Sequence, residues 1–85
     1  MTSLQQAVLH LEQGEWEAAH RIVQEDESPL SSWAHGVVHL MEGDVGNARY
    51  WYGRAGRELP KVSWDDAAVR DAAIGAEITA LRAAV

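Results

Sequence analysis

The sequence predicts an all-α fold of five helices, in which helical hairpins stack on one another. Three observations support this prediction. Apolar residues recur at spacings of three and four in five segments, and no segment shows the alternation of a strand. Glycine or proline stands where most of these segments end. Residues 7–19 and 36–48 also align without a gap, at an offset of 29 residues as from Gly14 to Gly43, which is typical of stacked helical repeats.

The aligned stretches place the same residue types at the same distance from a glycine that ends a helix. The identical pairs are Val8 with Val37, His10 with His39, Leu11 with Leu40, Gly14 with Gly43 and Ala19 with Ala48. Because one helical hairpin cannot bury its apolar face alone, such copies are expected to pack against each other.

The first two helices are predicted from a cap and a glycine. Ser3 and Gln6 have the spacing of a capping box, and Gly14 ends the first helix. The second helix follows at once, and its buried stripe is predicted to be Trp16, Ala19 and Val23. The acidic residues 25–27 form the next loop.

The remaining helices have equally local signals. Ser28 followed by Pro29 starts helix three, which runs to about Glu42 before Gly43. Asp44 caps helix four, and Pro60 ends it. Ser63 is predicted to cap helix five, whose apolar side is Ile74, Ile78, Leu81 and Val85.

Composition limits the classes of protein to consider. The 85 residues are enough for one small domain, with 47% hydrophobic residues and no cysteine. No apolar run reaches the roughly 20 residues of a membrane span, and the N-terminus lacks the layout of a signal peptide. We therefore expect a cytoplasmic protein with no membrane partner.

Charge argues against nucleic acid as a partner. The net charge is −6, and all of the excess lies in residues 1–42, so the chain repels phosphate backbones. One basic cluster stands out in the second half: Arg49, Arg54, Arg57 and Lys61. It is either a solvated surface or a receptor for an acidic segment, such as residues 25–27 of another copy.

In its second copy the chain resembles the tetratricopeptide (TPR) repeat, a helix pair of about 34 residues with the pattern W-x2-L-G-x2-Y, A-x3-F, P. The matching positions are Gly36, Ala48, Tyr52, Ala55 and Pro60, and in the first copy Ala7, Gly14, Trp16 and Ala19. Ser32 departs from the pattern, and His35 and His39 occupy packing positions that usually hold Leu and Tyr.

The resemblance implies a right-handed αα-hairpin stack in a single domain 1–85: repeat one about 3–27, repeat two about 28–60, and a capping helix about 63–84. It also implies that Gly36 and Ala48 let their two helices approach closely.

In TPR arrays the first helix of each repeat lines the concave binding surface. The corresponding residues here are almost all apolar: Leu4, Val8, Leu11, Leu30, Trp33, Val37 and Leu40. Carboxylate-gripping TPR proteins place Lys, Arg and Asn there, so the resemblance does not imply that function. Helix five is the first choice of cover for this face, followed by a second copy of the chain or an amphipathic partner helix.

Three other groups of residues have a functional interpretation. His35 and His39 share one helix face with Glu42, and the three could form a set of metal ligands. Because His39 repeats as His10 near a helix end, packing or capping is the favoured interpretation.

A stripe of recognition-type residues lies on helix four and consists of Asn47, Tyr50, Arg54 and Arg57. Gly46, Gly53 and Gly56 form a small face, where a neighbouring helix or a ligand could approach. We assign no metal ligand and no cofactor.

The sequence therefore predicts a non-enzymatic TPR-like module that binds a partner protein or itself, with a homodimer possible. The predicted partner-binding residues are Trp33, Val37, Leu40, Tyr50, Arg54 and Arg57. The alternative is a small-ligand or metal-binding protein, whether an enzyme or not, with its site between helices three and four. Its predicted residues are His35, His39, Glu42, Tyr50 and Arg54; the arginine would hold an anion and a histidine would move a proton.

Overall fold

Five α-helices and no strand make up the computed structural model, which describes residues 1–85. The all-α prediction is therefore confirmed. The helices are α1 (Ser3–Glu12), α2 (Trp16–Val23), α3 (Pro29–Glu42), α4 (Val45–Arg54) and α5 (Ala67–Ala84). None of them combines the length and the apolar character that a bilayer crossing requires.

Helix α3 lies at the centre of the molecule and packs against each of the other four helices. Residues 31–40 of this helix are all buried, including two serines and two histidines. The core that surrounds it consists of fourteen apolar side chains: Ala7, Val8, Leu11, Ala19, Val23, Trp33, Ala34, Val37, Val38, Leu40, Ala48, Tyr52, Ile74 and Leu81. A helix buried on all sides can hold polar groups in fixed positions inside the protein.

The two aligned stretches have the same backbone structure where their first helices end. Gly14 and Gly43 both adopt the left-handed conformation, with φ of 76° and 91°. In both, the residue after the glycine donates its N–H to a histidine carbonyl, Glu15 to His10 at 2.8 Å and Asp44 to His39 at 2.9 Å. This is the Schellman cap, in which glycine avoids the steric cost of positive φ.

Core positions also match between the stretches. Val8 and Val37, Leu11 and Leu40, and Ala19 and Ala48 are all buried. The repeated histidines differ, however, since His39 is buried whereas His10 is half-buried.

Three predicted helix ends are wrong. The capping box of α1 uses Thr2 and Gln5 in place of Ser3 and Gln6. Helix α4 ends at Arg54, before Pro60, because Gly56 forms a third left-handed cap with φ of 71°. Helix α5 begins only at Ala67, and Asp66, rather than Ser63, caps it. The caps predicted at Ser28, Gly43 and Asp44 are confirmed.

Gly36 sets how closely α3 and α4 pack. A Cβ atom at this position would lie 2.5 Å from Cδ1 of Tyr52 and 3.4 Å from the carbonyl oxygen of Ala48. The Tyr52 ring therefore occupies the space that a side chain would need, and the expected close approach at Gly36 and Ala48 is present.

Helix α5 packs on α3 and α1, and its backbone lies away from α4. Its buried residues are Ile74 and Leu81, while Ile78 and Val85 are half-buried. Arg82 joins it to α1 through two hydrogen bonds to Glu12, of 3.1 and 2.7 Å. The stretch between α4 and α5, residues 55–66, crosses the surface as a long connection.

Candidate functional site

The apolar residues predicted to bind a partner are inside the molecule. Trp33, Val37 and Leu40 are at most 2% exposed and belong to the same core as Ile74 and Leu81 of α5. Helix five was the first choice of cover for the apolar first-helix face, and α5 does pack against α3 and α1. The expectation that these three residues contact a partner does not hold in this conformation, because no partner can reach them.

The other three predicted partner-binding residues are exposed but lie in two places. Tyr50 and Arg54 are one turn apart on α4, where the Arg54 guanidinium donates to the Tyr50 hydroxyl at 3.2 Å. Arg57 lies beyond the end of the helix, and its guanidinium carbon is 3.5 Å from the centre of the Trp33 ring. The predicted stripe is divided because α4 ends at Arg54.

Three imidazoles form a cluster between α2 and α3. His20 comes from α2, and His35 and His39 lie one turn apart on α3. The ring centres are 4.8 Å apart for His20 and His35, 5.4 Å for His20 and His39, and 5.0 Å for His35 and His39. One ring nitrogen from each residue lies within 4.8 Å of the other two. The donor atoms of the three side chains therefore lie close together.

His35 is the most buried member of the cluster, with 4% of its surface exposed. Its ring stacks on Trp51 of α4 with the ring centres 3.8 Å apart. Its Nδ1 atom is buried and has no hydrogen-bond partner. Burial, followed by the nearby His20 and His39, lowers the pKa of His35 to about 4, so this ring is neutral near pH 7.

A carboxylate orients His39. The His39 Nδ1 atom and Glu42 Oε1 are 3.0 Å apart. An ionised carboxylate only accepts hydrogen bonds, so Nδ1 carries the proton and Nε2 carries a free lone pair when the ring is neutral. In the first hairpin the matching His10 also contacts a carboxylate, with 2.8 Å between its Nδ1 and Glu15 Oε1, but Glu15 matches Asp44 rather than Glu42, and no imidazole is adjacent.

The structure thus brings together only part of the predicted ligand site. His35, His39 and Glu42 lie in one group. Tyr50 and Arg54 instead contact Trp51, the guanidinium carbon of Arg54 at 5.3 Å from its ring centre and the Tyr50 ring at 5.2 Å. Trp51 links these two residues to the histidines.

Sequence reasoning missed His20 and the role of Trp51. A signal for His20 existed, because it lies on the stripe of Trp16 and Val23 at helical spacing, where an apolar residue is expected. Trp51 was assigned to the core, and its stacking on His35 depends on how α3 and α4 pack.

A second polar network lies under α5. Glu77 Oε1 accepts hydrogen bonds from the Tyr52 hydroxyl at 2.6 Å and from Trp33 Nε1 at 3.2 Å. Burial, and then the bond to Glu77, raises the pKa of Tyr52 far above its ordinary value of 10.0. This network links α3, α4 and α5 at one carboxylate.

A cleft of about 660 Å³ opens between α4 and the connection that follows it. It is lined by basic, aromatic and small residues, among them Arg49, Gly53, Arg57, Lys61 and Trp64. A Cβ atom at Gly53 would meet no atom within 4 Å, so the neighbouring helix expected at this small face is not there. Gly56 does not belong to that face, since it forms the cap of α4.

None of the cleft's cations is in an ion pair, although Arg57 lies over the Trp33 ring. Arginine pairs with acids at Arg54, Arg70 and Arg82, and none of these three lines the cleft.

Comparison with known proteins returned no matching family, no matching curated protein and no matching solved structure.

Proposed function

We propose that this chain is a non-enzymatic, TPR-like interaction module that binds an acidic segment of a protein partner in the cleft beside α4. The observation that carries the proposal is the set of cations in this cleft, Arg49, Arg57 and Lys61, on a chain whose net charge is −6. One acidic residue, Glu58, also lines the cleft. Cations that have no acidic partner within the chain favour a ligand that supplies carboxylates.

The walls of the cleft suit a peptide better than a small ion. Tyr52, Leu59, Val62 and Trp64 supply apolar surface beside the cations. Aromatic and arginine side chains are the types that contribute most to binding at protein interfaces. A cleft that is open to solvent and mixes these groups fits an extended segment with both acidic and apolar residues.

The TPR-like part of the proposal rests on the paired hairpins. Both first helices end in the same glycine cap, and the residues at matching core positions are buried in both. In such a stack α5 serves as the capping helix that a short array needs. Since the apolar first-helix face is covered, the proposed binding surface moves to α4 and the connection after it.

A second copy of this chain is one possible source of the acidic segment. Glu25, Asp26 and Glu27 are exposed and follow one another in the loop between α2 and α3. Size-exclusion chromatography with light scattering distinguishes the sources: a dimer that dissociates at high salt indicates self-association, and a monomer indicates a different partner.

The cleft is tested by following backbone amide signals by NMR while a synthetic peptide of residues 24–30 is added. We expect shifts in residues 49–64 that weaken with added salt, since exposed charge pairs are screened. Arg49→Glu and Lys61→Glu should remove these shifts. Arg21→Glu is the matched control, because Arg21 is also exposed but lies on α2, and it should behave as wild type. Peptide binding that is unchanged by both cleft variants would overturn the proposal, whereas no shift in the wild type would exclude residues 25–27 as the acidic segment.

A further inference from the structure

We propose that His20, His35 and His39 form a binding site for one divalent transition-metal ion of the Zn²⁺ type. The site lies between α2 and α3. It is separate from the cleft, because the two have no residue in common. Three observations carry the inference: the arrangement of the three donors, a buried nitrogen without a partner, and a carboxylate that orients one of the rings.

The donors meet the first requirement of a metal site. Each of the three residues offers one ring nitrogen, and these atoms all lie within 4.8 Å of one another. In a tetrahedral zinc site with Zn–N bonds of about 2.0–2.1 Å, ligand nitrogens are roughly 3.3 Å apart. The donors therefore lie within about 1.5 Å of the spacing that a bound ion requires, and His20 is the least buried of the three rings.

The buried nitrogen argues that the cluster is more than core packing. Nδ1 of His35 is buried without a hydrogen bond, and an unpaired polar atom in a protein interior carries a desolvation cost. An apolar residue of similar size would fill the space against Trp51 without this cost. A neutral imidazole can give its lone pair to a metal ion, and such an ion would provide the His35 ring with a polar partner.

The contact between His39 and Glu42 has the form of an outer-shell interaction in metal sites. In those sites a ligating histidine donates its other N–H to a carboxylate, which fixes the tautomer and the direction of the ring. Here the carboxylate of Glu42 holds Nδ1 of His39 at 3.0 Å, so Nε2 is the nitrogen available to a metal. Glu42 is therefore a positioning residue in the proposed site.

The donor set selects the class of ion. Imidazole nitrogens suit Zn²⁺, Cu²⁺ and Ni²⁺, whereas Mg²⁺ and Ca²⁺ take oxygen ligands. Three protein ligands leave a fourth position of a tetrahedral ion open to water or to an anion. His20 is the half-exposed member of the cluster, so the cluster is open to solvent at this residue.

The test is equilibrium dialysis of untagged, chelator-treated protein against Zn²⁺, together with the absorption spectrum of the Co²⁺-substituted protein. We expect one ion per chain and the intense visible bands of tetrahedral Co²⁺. His20→Gln and His39→Gln should each weaken binding at least tenfold, and Glu42→Gln should weaken it by about tenfold, as is typical of outer-shell partners.

His10→Gln is the matched control. His10 has the same position in the first repeat and the same contact with a glutamate, but it is not part of the cluster, so this variant should bind Zn²⁺ as the wild type does. Arg49→Glu should also bind Zn²⁺ normally, which separates this site from the proposed peptide cleft. Circular dichroism of each metal-free variant verifies that it folds, and the half-exposed position of His20 makes His20→Gln the variant least affected by packing.

Three results would overturn the proposal. The first is a wild-type protein that binds no Zn²⁺ in dialysis. The second is a folded His20→Gln variant with wild-type affinity, which would place any bound ion on His39, Glu42 and Asp44, the other group of possible ligands. The third is a His10→Gln variant that loses as much affinity as His39→Gln.

Discussion

Gly36 shows how a single missing side chain decides the packing of a helix pair. Its Cα faces the edge of the Tyr52 ring, and the Tyr52 hydroxyl is held by Glu77 at 2.6 Å. The ring is buried and anchored at its far end, so it has little freedom to move away from an added methyl group.

We therefore expect Gly36→Ala to destabilise the protein by about 1–3 kcal/mol, the usual cost of overpacking a core. Gly75→Ala is the control, because Gly75 is inside α5 with no atom within 4 Å of the added Cβ. That change should stabilise the protein by up to about 1 kcal/mol through helix propensity. Urea unfolding measures both, and a Gly36→Ala variant as stable as Gly75→Ala would contradict the prediction.

Glu77 is the second residue on which several elements depend, because one oxygen accepts from both Tyr52 and Trp33. Glu77→Ala leaves two donors without their partner, and we expect a loss of about 2–3 kcal/mol in the free energy of unfolding. The effect should shrink in a Tyr52→Phe background, where one donor is already gone. Equal losses in both backgrounds would show that Glu77 does not act through Tyr52.

Two of the three histidines in the cluster can be predicted from the sequence, and the reason is geometric. His35 and His39 share a face because of the helical repeat alone, which is local information. His20 joins them only through the way α2 packs on α3, and Trp51 only through the packing of α4. The contacts of Trp33, Val37 and Leu40 likewise depend on where α5 docks, so their exposure could not be derived from spacing.

At the level of the helices, the ends that were predicted correctly depend on local chemistry. Ser28 with Pro29, Gly43 and Asp44 act within a few residues of the end they define. The end of α4 was misplaced because Gly56 was assigned to a helix face, although it forms a third left-handed cap. Pro60 is consistent with either end point, so it did not distinguish them.

The start of α5 can be tested directly, because the structure places the N-cap at Asp66 rather than at Ser63. Asp66 accepts hydrogen bonds from the backbone N–H groups of Ala68 and Val69, at 3.0 and 3.2 Å. We expect Asp66→Ala to cost about 1 kcal/mol, the typical value for loss of an N-cap. Ser63→Ala should change stability by less than about 0.5 kcal/mol, as for an ordinary surface substitution. Thermal unfolding compares them, and a larger loss at Ser63 would restore the earlier start of the helix.

For the molecule as a whole, the central helix has two roles that oppose each other. Helix α3 supplies core residues to every other helix, and it also holds two histidines in that core. A buried imidazole without a hydrogen bond stabilises the fold less than an apolar residue of the same shape. The chain is expected to recover this stability when an ion binds the cluster, since a ligand that binds only the folded state raises its stability.

Acid should weaken the metal-free protein for the same reason. The pKa of His35 is about 4 in the folded chain against an ordinary value of 6.5. Between these pH values the unfolded chain binds a proton that the folded chain does not, so the free energy of unfolding falls as pH falls. The titratable groups that act on His35 are His20 and His39; Glu42 contacts His39, and Arg54 lies over Trp51. The contribution of His35 to the free energy of unfolding should thus be constant above pH 6.5. It should decrease towards pH 4, by at most about 3 kcal/mol.

Urea unfolding in the presence of a chelator, repeated across this pH range, measures the effect. His35→Phe keeps a ring against Trp51 and removes the titrating group, so its stability should depend less on pH. His10→Gln should retain the wild-type dependence on pH, because His10 is half-exposed and its ring contacts Glu15 rather than a member of the cluster. If His35→Phe and wild type lose stability in parallel, other groups control the acid response, and the desolvation of His35 is smaller than its burial indicates.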